Sequence, residues 1–102
     1  MDLTGRYIGI WVTPEEMDAI FGFEPTSTSP VFMLRGRVLG ESDDVGLWIE
    51  LHAVSAPPDD LFPDVASERP RRLIRWEFIH SAELFDNAED MESTADFRPL
   101  AA

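Results

Sequence analysis

Apolar residues recur at every second position in two stretches of this chain. Ile8, Ile10 and Val12 alternate with Tyr7, Gly9 and Trp11, and Leu47, Ile49, Leu51 and Ala53 alternate with Trp48, Glu50 and His52. A period of two is that of a strand with one face buried. Ahead of the second stretch, the apolar run Val31 to Leu34 is interrupted by Gly36 and Gly40. Glycine within a strand marks a bulge or a sharp bend, because a missing Cβ frees the backbone. Ser42, Asp43 and Asp44 then favour a turn by bonding their own backbone. Residues 31–51 therefore read as a bent strand, a turn and a second strand. The rest of the chain is arranged around that hairpin.

A different period appears between the first strand and the hairpin. Thr13-Pro14-Glu15-Glu16 has the form of a capping box, with proline at the first helical position and two acids at the positive end of the dipole. Met17, Ile20 and Phe21 form one apolar side and Gly22 offers a stop, so a short helix is expected over about 14–21. Residues 23–30 read as a loop. Residues 55–70 read as a proline-rich loop, because Pro57, Pro58, Pro63 and Pro70 deny donors to a ladder, with Leu61 and Phe62 as its anchors.

Residues 71–85 admit two readings. As a strand, Ile74, Trp76, Phe78, Ala82 and Leu84 line one face; as a helix, Phe78, Ala82 and Phe85 align. The aromatic and β-branched density from Leu73 to Ile79 favours a strand, bent near His80 and Ser81. The acidic run 86–102 reads as a solvated tail or a frayed helix. The expected architecture is mainly β: one domain over 1–85, a small and strongly bent antiparallel barrel with one short N-terminal helix, followed by the tail.

Charge changes the picture of the surface. The 102 residues carry a formal charge of −12, and all 8 basic residues are arginine, a usage that fits a GC-rich genome. Such a chain repels phosphate, which disfavours nucleic acid as a partner. The charge is uneven: 41–68 carries −8, 69–85 carries +2 and 86–102 carries −4. With no cysteine, disulfides and thiolate chemistry are excluded. No apolar run approaches the roughly 20 residues of a membrane helix. The first residues lack the layout of a secretory signal, so the cytoplasm is the expected compartment.

Residues 31–51 also resemble the first motif of Sm-like small β-barrels: an apolar strand, Gly36-Arg37, Gly40, an acidic turn and an apolar strand. Residues 73–79, with an apolar pair, Arg75 and further apolar residues, look like the second motif. The resemblance covers about a third of the chain and extends to SH3-like barrels in general. It implies a strongly bent small barrel, with assembly through edge strands. Sm-like RNA binders carry an asparagine ahead of the second strand and a glycine after the arginine. Here those places hold Asp44-Val45-Gly46 and Trp76, so the resemblance does not carry RNA binding.

Candidate chemistry is sparse. His52 and His80 are 28 positions apart and fit no local metal motif. The paired aspartates lack the glycine and terminal glutamate of a calcium loop. No serine sits in a nucleophile elbow, and no glycine loop precedes a helix to cradle phosphate. Neither a catalytic residue, a metal nor a cofactor is expected. The arginines carry the sharper hypothesis: Arg35, Arg37, Arg72 and Arg75, gathered near Trp48 and Trp76, would suit a carboxylate, an acidic peptide or a stacked base. The expected function is a non-catalytic interaction or assembly module that self-associates or binds a protein. The alternatives are an anionic-ligand binder using that arginine–tryptophan face, and an acidic mimic of nucleic acid that blocks a basic protein.

Overall fold

A computed structural model describes residues 3–22, 30–55, 71–94 and 97. Strand β1 (Tyr7–Val12) leads into helix α1 (Pro14–Phe21), then β2 (Phe32–Ser42) and β3 (Gly46–Ser55). After them come β4 (Arg71–Arg75), a 3-10 turn (Trp76–Phe78), β5 (Ala82–Phe85) and helix α2 (Ala88–Glu92). The strands form one five-stranded sheet in the order β4-β3-β2-β1-β5, antiparallel throughout. Chain order and spatial order agree from β1 to β4. The last strand then returns to the far side of the first.

Helix α1 forms as its sequence dictates. Thr13 Oγ1 accepts from the Glu16 N–H at 3.3 Å, and Glu16 Oε1 accepts from the Thr13 N–H at 2.9 Å. Gly22 ends the helix in the left-handed region, at φ 79°, with its N–H on the Asp18 carbonyl. Removing the cap through Thr13→Ala should cost about 1 kcal/mol of stability. A urea titration of the two proteins reads that loss as a lower midpoint at unchanged slope.

The hairpin follows the sequence reading, with a finer result inside it. Register shifts fall between Arg35 and Gly36 and between Val38 and Gly40, so both glycines stand at irregularities. At the first, Gly36 pairs with Leu51 but Arg35 pairs with Ala53, leaving His52 as the extra residue. One extra residue reverses which side chains point inward. Leu47, Ile49 and Leu51 enter the core as expected, but Val54 joins that cluster beyond the bulge in place of Ala53.

The inner face buries Ile8, Ile10, Val12, Phe32, Leu34, Val38, the β3 residues just named and Ile74, with Met17 of α1 packed among them. Trp76, Phe78 and Ile79 close part of its margin as half-buried residues. The outer face has a smaller covering. Met33, Ala53, Phe85 and Met91 are buried yet stand outside the main cluster. Met91, fully buried on α2, contributes about 1.5–3 kcal/mol of apolar burial there. Of the two readings of the acidic run after 85, a solvated tail or a frayed helix, its start takes the helical one, as a short helix anchored by Met91.

Two expectations need correction. Residues 71–85 are not one bent strand. The Trp76 indole N–H donates to the Ser42 and Asp43 carbonyls at 2.9 and 3.0 Å, and the Trp76 backbone N–H donates to Val45. Those bonds to the hairpin turn draw the chain out of the ladder and into the 3-10 turn. Of the five residues expected on one face, Ile74 alone is buried, while Ala82 and Leu84 are exposed. The barrel is likewise not closed. Among the described residues, β4 pairs with β3 alone and β5 with β1 alone, which leaves two open edges. The proline-rich loop lies outside the described residues, apart from Ser55 at the end of β3.

Candidate interaction surfaces

The sheet splits the sequence-predicted arginine–tryptophan cluster between its two faces. Arg35 and Arg37 point outward from β2, opposite Ala53 and Glu50, and Trp48 points outward from β3. Arg72 lies opposite Ile49 on the inner side, its guanidinium 5.7 Å from the centre of the Phe21 ring of α1. Trp76 is held by the hairpin turn. Arg75 extends from the end of β4 into an ion pair, Nε to Glu77 Oε1 at 2.7 Å, with both side chains more than half exposed. Solvent screening leaves such a pair worth roughly 0–1 kcal/mol.

Arg35 has a different fate from Arg37. It is 3% exposed, its Nη1 donating to Ser55 Oγ at 3.4 Å, with the Phe97 ring centre 6.0 Å from its guanidinium carbon. Arg37 remains exposed beside Glu50 and Tyr7. Trp48 is 48% exposed, with Gly40 opposite it on β2 and the half-buried Leu73 opposite it on β4. Of the six, Arg37, Trp48 and Arg75 are therefore exposed, with Trp48 opposite Leu73 and Arg75 opposite Gly46 on the same pair of strands. Arg71, opposite Glu50, extends this exposed group along β4.

Both histidines have glutamate partners, in different parts of the fold. His52 is mostly buried, its ring N–H facing Glu50 Oε1 at 2.9 Å and its ring meeting Tyr7 edge-on. Spacing of two on a strand is the signal that pairs Glu50 with His52, and it is visible in the sequence. His80 meets the second oxygen of Glu16, which ties α1 to the segment between the 3-10 turn and β5. No group of three or more histidine and acidic side chains could hold a metal among the described residues. No helix among them is long and apolar enough to cross a membrane.

The open edges carry what the sequence reading missed. Edge strand β4 presents Arg71 and Arg75 to solvent, and edge strand β5 presents Ala82, Glu83 and Leu84, followed by Asp86. The exposed large apolar side chains among the described residues are Val45, Trp48 and Leu84. Val45 and Trp48 lie beside β4, one in the hairpin turn and one on β3; Leu84 is on β5. Among the described residues, each edge thus combines an apolar contact and a net charge with backbone groups that no further strand pairs, and the two charges are opposite. No family model, curated protein or solved structure matches this chain, so the chemistry of these surfaces rests on its own residues.

Proposed function

We propose that this protein is a non-catalytic assembly module of SH3-like or Sm-like build. In this reading the β4 edge of one copy pairs with the β5 edge of the next. The observation that carries it is the complementarity of the two open edges: arginines with Val45 and Trp48 on one side, Glu83 and Asp86 with Leu84 on the other. An open edge is a template for another strand, and natural sheets commonly protect such edges. The meander of four strands, the 3-10 turn and the return of β5 beside β1 support the small-barrel assignment.

The two edges differ from one another, so the contact is heterologous. It closes into a ring where the rotation permits and otherwise continues as an open chain. Strands of 5 and 4 residues offer a modest ladder. Each cross-strand pair of opposite charge adds roughly 0.2–1 kcal/mol. The assembly is therefore expected to depend on concentration and to weaken as salt screens the edge charges. Light scattering after size exclusion should give masses that are multiples of 11.5 kDa and grow with loading. A mass of one chain at every reachable concentration would remove the reading. The surface around Arg37 and Trp48 supports a second reading, an acidic-peptide site, for which Trp48→Ala should lower binding and leave the fold intact.

A further inference from the structure

The buried polar side chains among the described residues are Arg35, His52 and Ser55. Arg35 and Ser55 lie on the outer face beneath the chain's own C-terminal segment. Phe85 sets its ring edge 3.4 Å from where a Gly9 Cβ would stand, and the stem of Arg35 lies 3.7 Å from the same point. Met91 is fully buried, and Phe97 reaches the Arg35 guanidinium. Between these anchors the chain is polar and acidic, with Asp86, Glu89, Asp90 and Glu92 exposed.

This segment bonds largely to itself. The backbone N–H groups of Met91, Ser93 and Thr94 donate to Asn87, Glu89 and Met91. The Asn87 side chain caps Asp90, and the Ser93 and Thr94 hydroxyls donate to the Asp90 and Met91 carbonyls. Its hold on the sheet includes two side chains: a buried methionine, Met91, and the Phe97 ring against the Arg35 cation. A helix of 5 residues has no stability of its own and forms because Met91 is buried there. A peptide ligand docks on a folded surface by the same means.

We infer that Asp86 to Thr94, together with Phe97, act as a tethered ligand, and that the outer face around Gly9, Arg35 and Ser55 is a docking site for an acidic segment bearing methionine and phenylalanine. The occupant in trans is the same segment of a second copy. It is the one sequence whose fit is already displayed, with Met91 fully buried and Phe97 against the Arg35 guanidinium. This exchange is separate from edge pairing in that it moves neither strand β4 nor strand β5, Asp86 being the one residue common to both proposals.

The test adds a labelled peptide of residues 86–102 to the full-length protein and to its Met91→Asp variant, whose own segment is loosened. The variant is expected to bind the peptide about tenfold or more tightly than the unaltered protein, because the tethered copy no longer competes. A peptide itself carrying Met91→Asp is expected not to bind. Amide exchange across β1, β2 and β3 reports whether the sheet persists. A folded variant that binds the peptide no better than the unaltered protein overturns the inference. So does unfolding of both Met91→Asp and the milder Met91→Ala, because the segment is then part of the fold rather than a ligand. Failure of edge assembly leaves both outcomes readable, since the peptide carries neither edge strand.

Discussion

Adding one methyl group at Gly46 or at Gly36 should remove about 3 kcal/mol of stability, at the upper end of what overpacking usually costs. A Cβ at Gly46 would stand 2.0 Å from the Ile74 carbonyl oxygen and 2.7 Å from the Arg75 Cα. At Gly36 it would stand 2.1 Å from the Glu50 carbonyl oxygen. In both places the obstacle is backbone of the neighbouring strand, which cannot rotate aside as a side chain can. Relief requires β3 to part from β4 at Gly46, or from β2 at Gly36. Against a typical total of about 5–15 kcal/mol, a loss of this size leaves a far larger unfolded fraction. Gly40 supplies the control, since nothing lies within 4 Å of its Cβ position. Gly40→Ala should stay within about 0.5 kcal/mol of the unaltered protein. Urea titrations of the three variants check the contrast.

Emptying the centre of the inner face should cost still more. Phe32 is 0% exposed and leads the largest fully buried side chains, so Phe32→Ala should lose about 3–5 kcal/mol. The loss combines the transfer of an aromatic ring with a cavity that the close-packed core around it fills only in part. Leu84→Ala removes a similar apolar group from a side chain that is 42% exposed at the β5 edge. Its urea midpoint should barely move, while any association through that edge should weaken. A large loss of fold stability in Leu84→Ala would show that the residue belongs to the core instead.

The sequence disclosed local structure well, because local structure here has local causes. The alternation in β1, the capping box at Thr13 and the stop at Gly22 are each written in adjacent residues, and each appears where its pattern places it. Gly36 and Gly40 mark the hairpin's irregularities for the same reason. The break at Trp76 was not legible, because its cause is a hydrogen bond to turn carbonyls more than thirty positions away. The period of residues 73–79 continues as a strand would, and only the partner of the indole changes the path. The bulge at His52 likewise depends on where β2 spends its glycine, so the inward turn of Val54 could not be read from β3 alone.

The candidate site divides along the same line. Sequence placed Arg35, Arg37, Arg72 and Arg75 in one cluster because alternation alone does not say which strands become neighbours or which segment covers a face. Arg72 turned to Phe21, and Arg35 lies under Phe97, a residue that carries no pattern of its own. The arginines of 71–75 and the acids Glu83 and Asp86 were visible in the sequence. Their placement at the two ends of one sheet follows from the return of β5 to β1, which is a property of topology.

The most direct test of edge-to-edge assembly is sedimentation velocity on three proteins at equal concentration. These are the unaltered chain, Arg71→Glu with Arg75→Glu, and that pair combined with Glu83→Arg. Charge complementarity between β4 and β5 requires the first to sediment as an assembly, the second as a single chain and the third again as an assembly. Sedimentation of the second at the same rate as the first, or of all three as single chains, would contradict it.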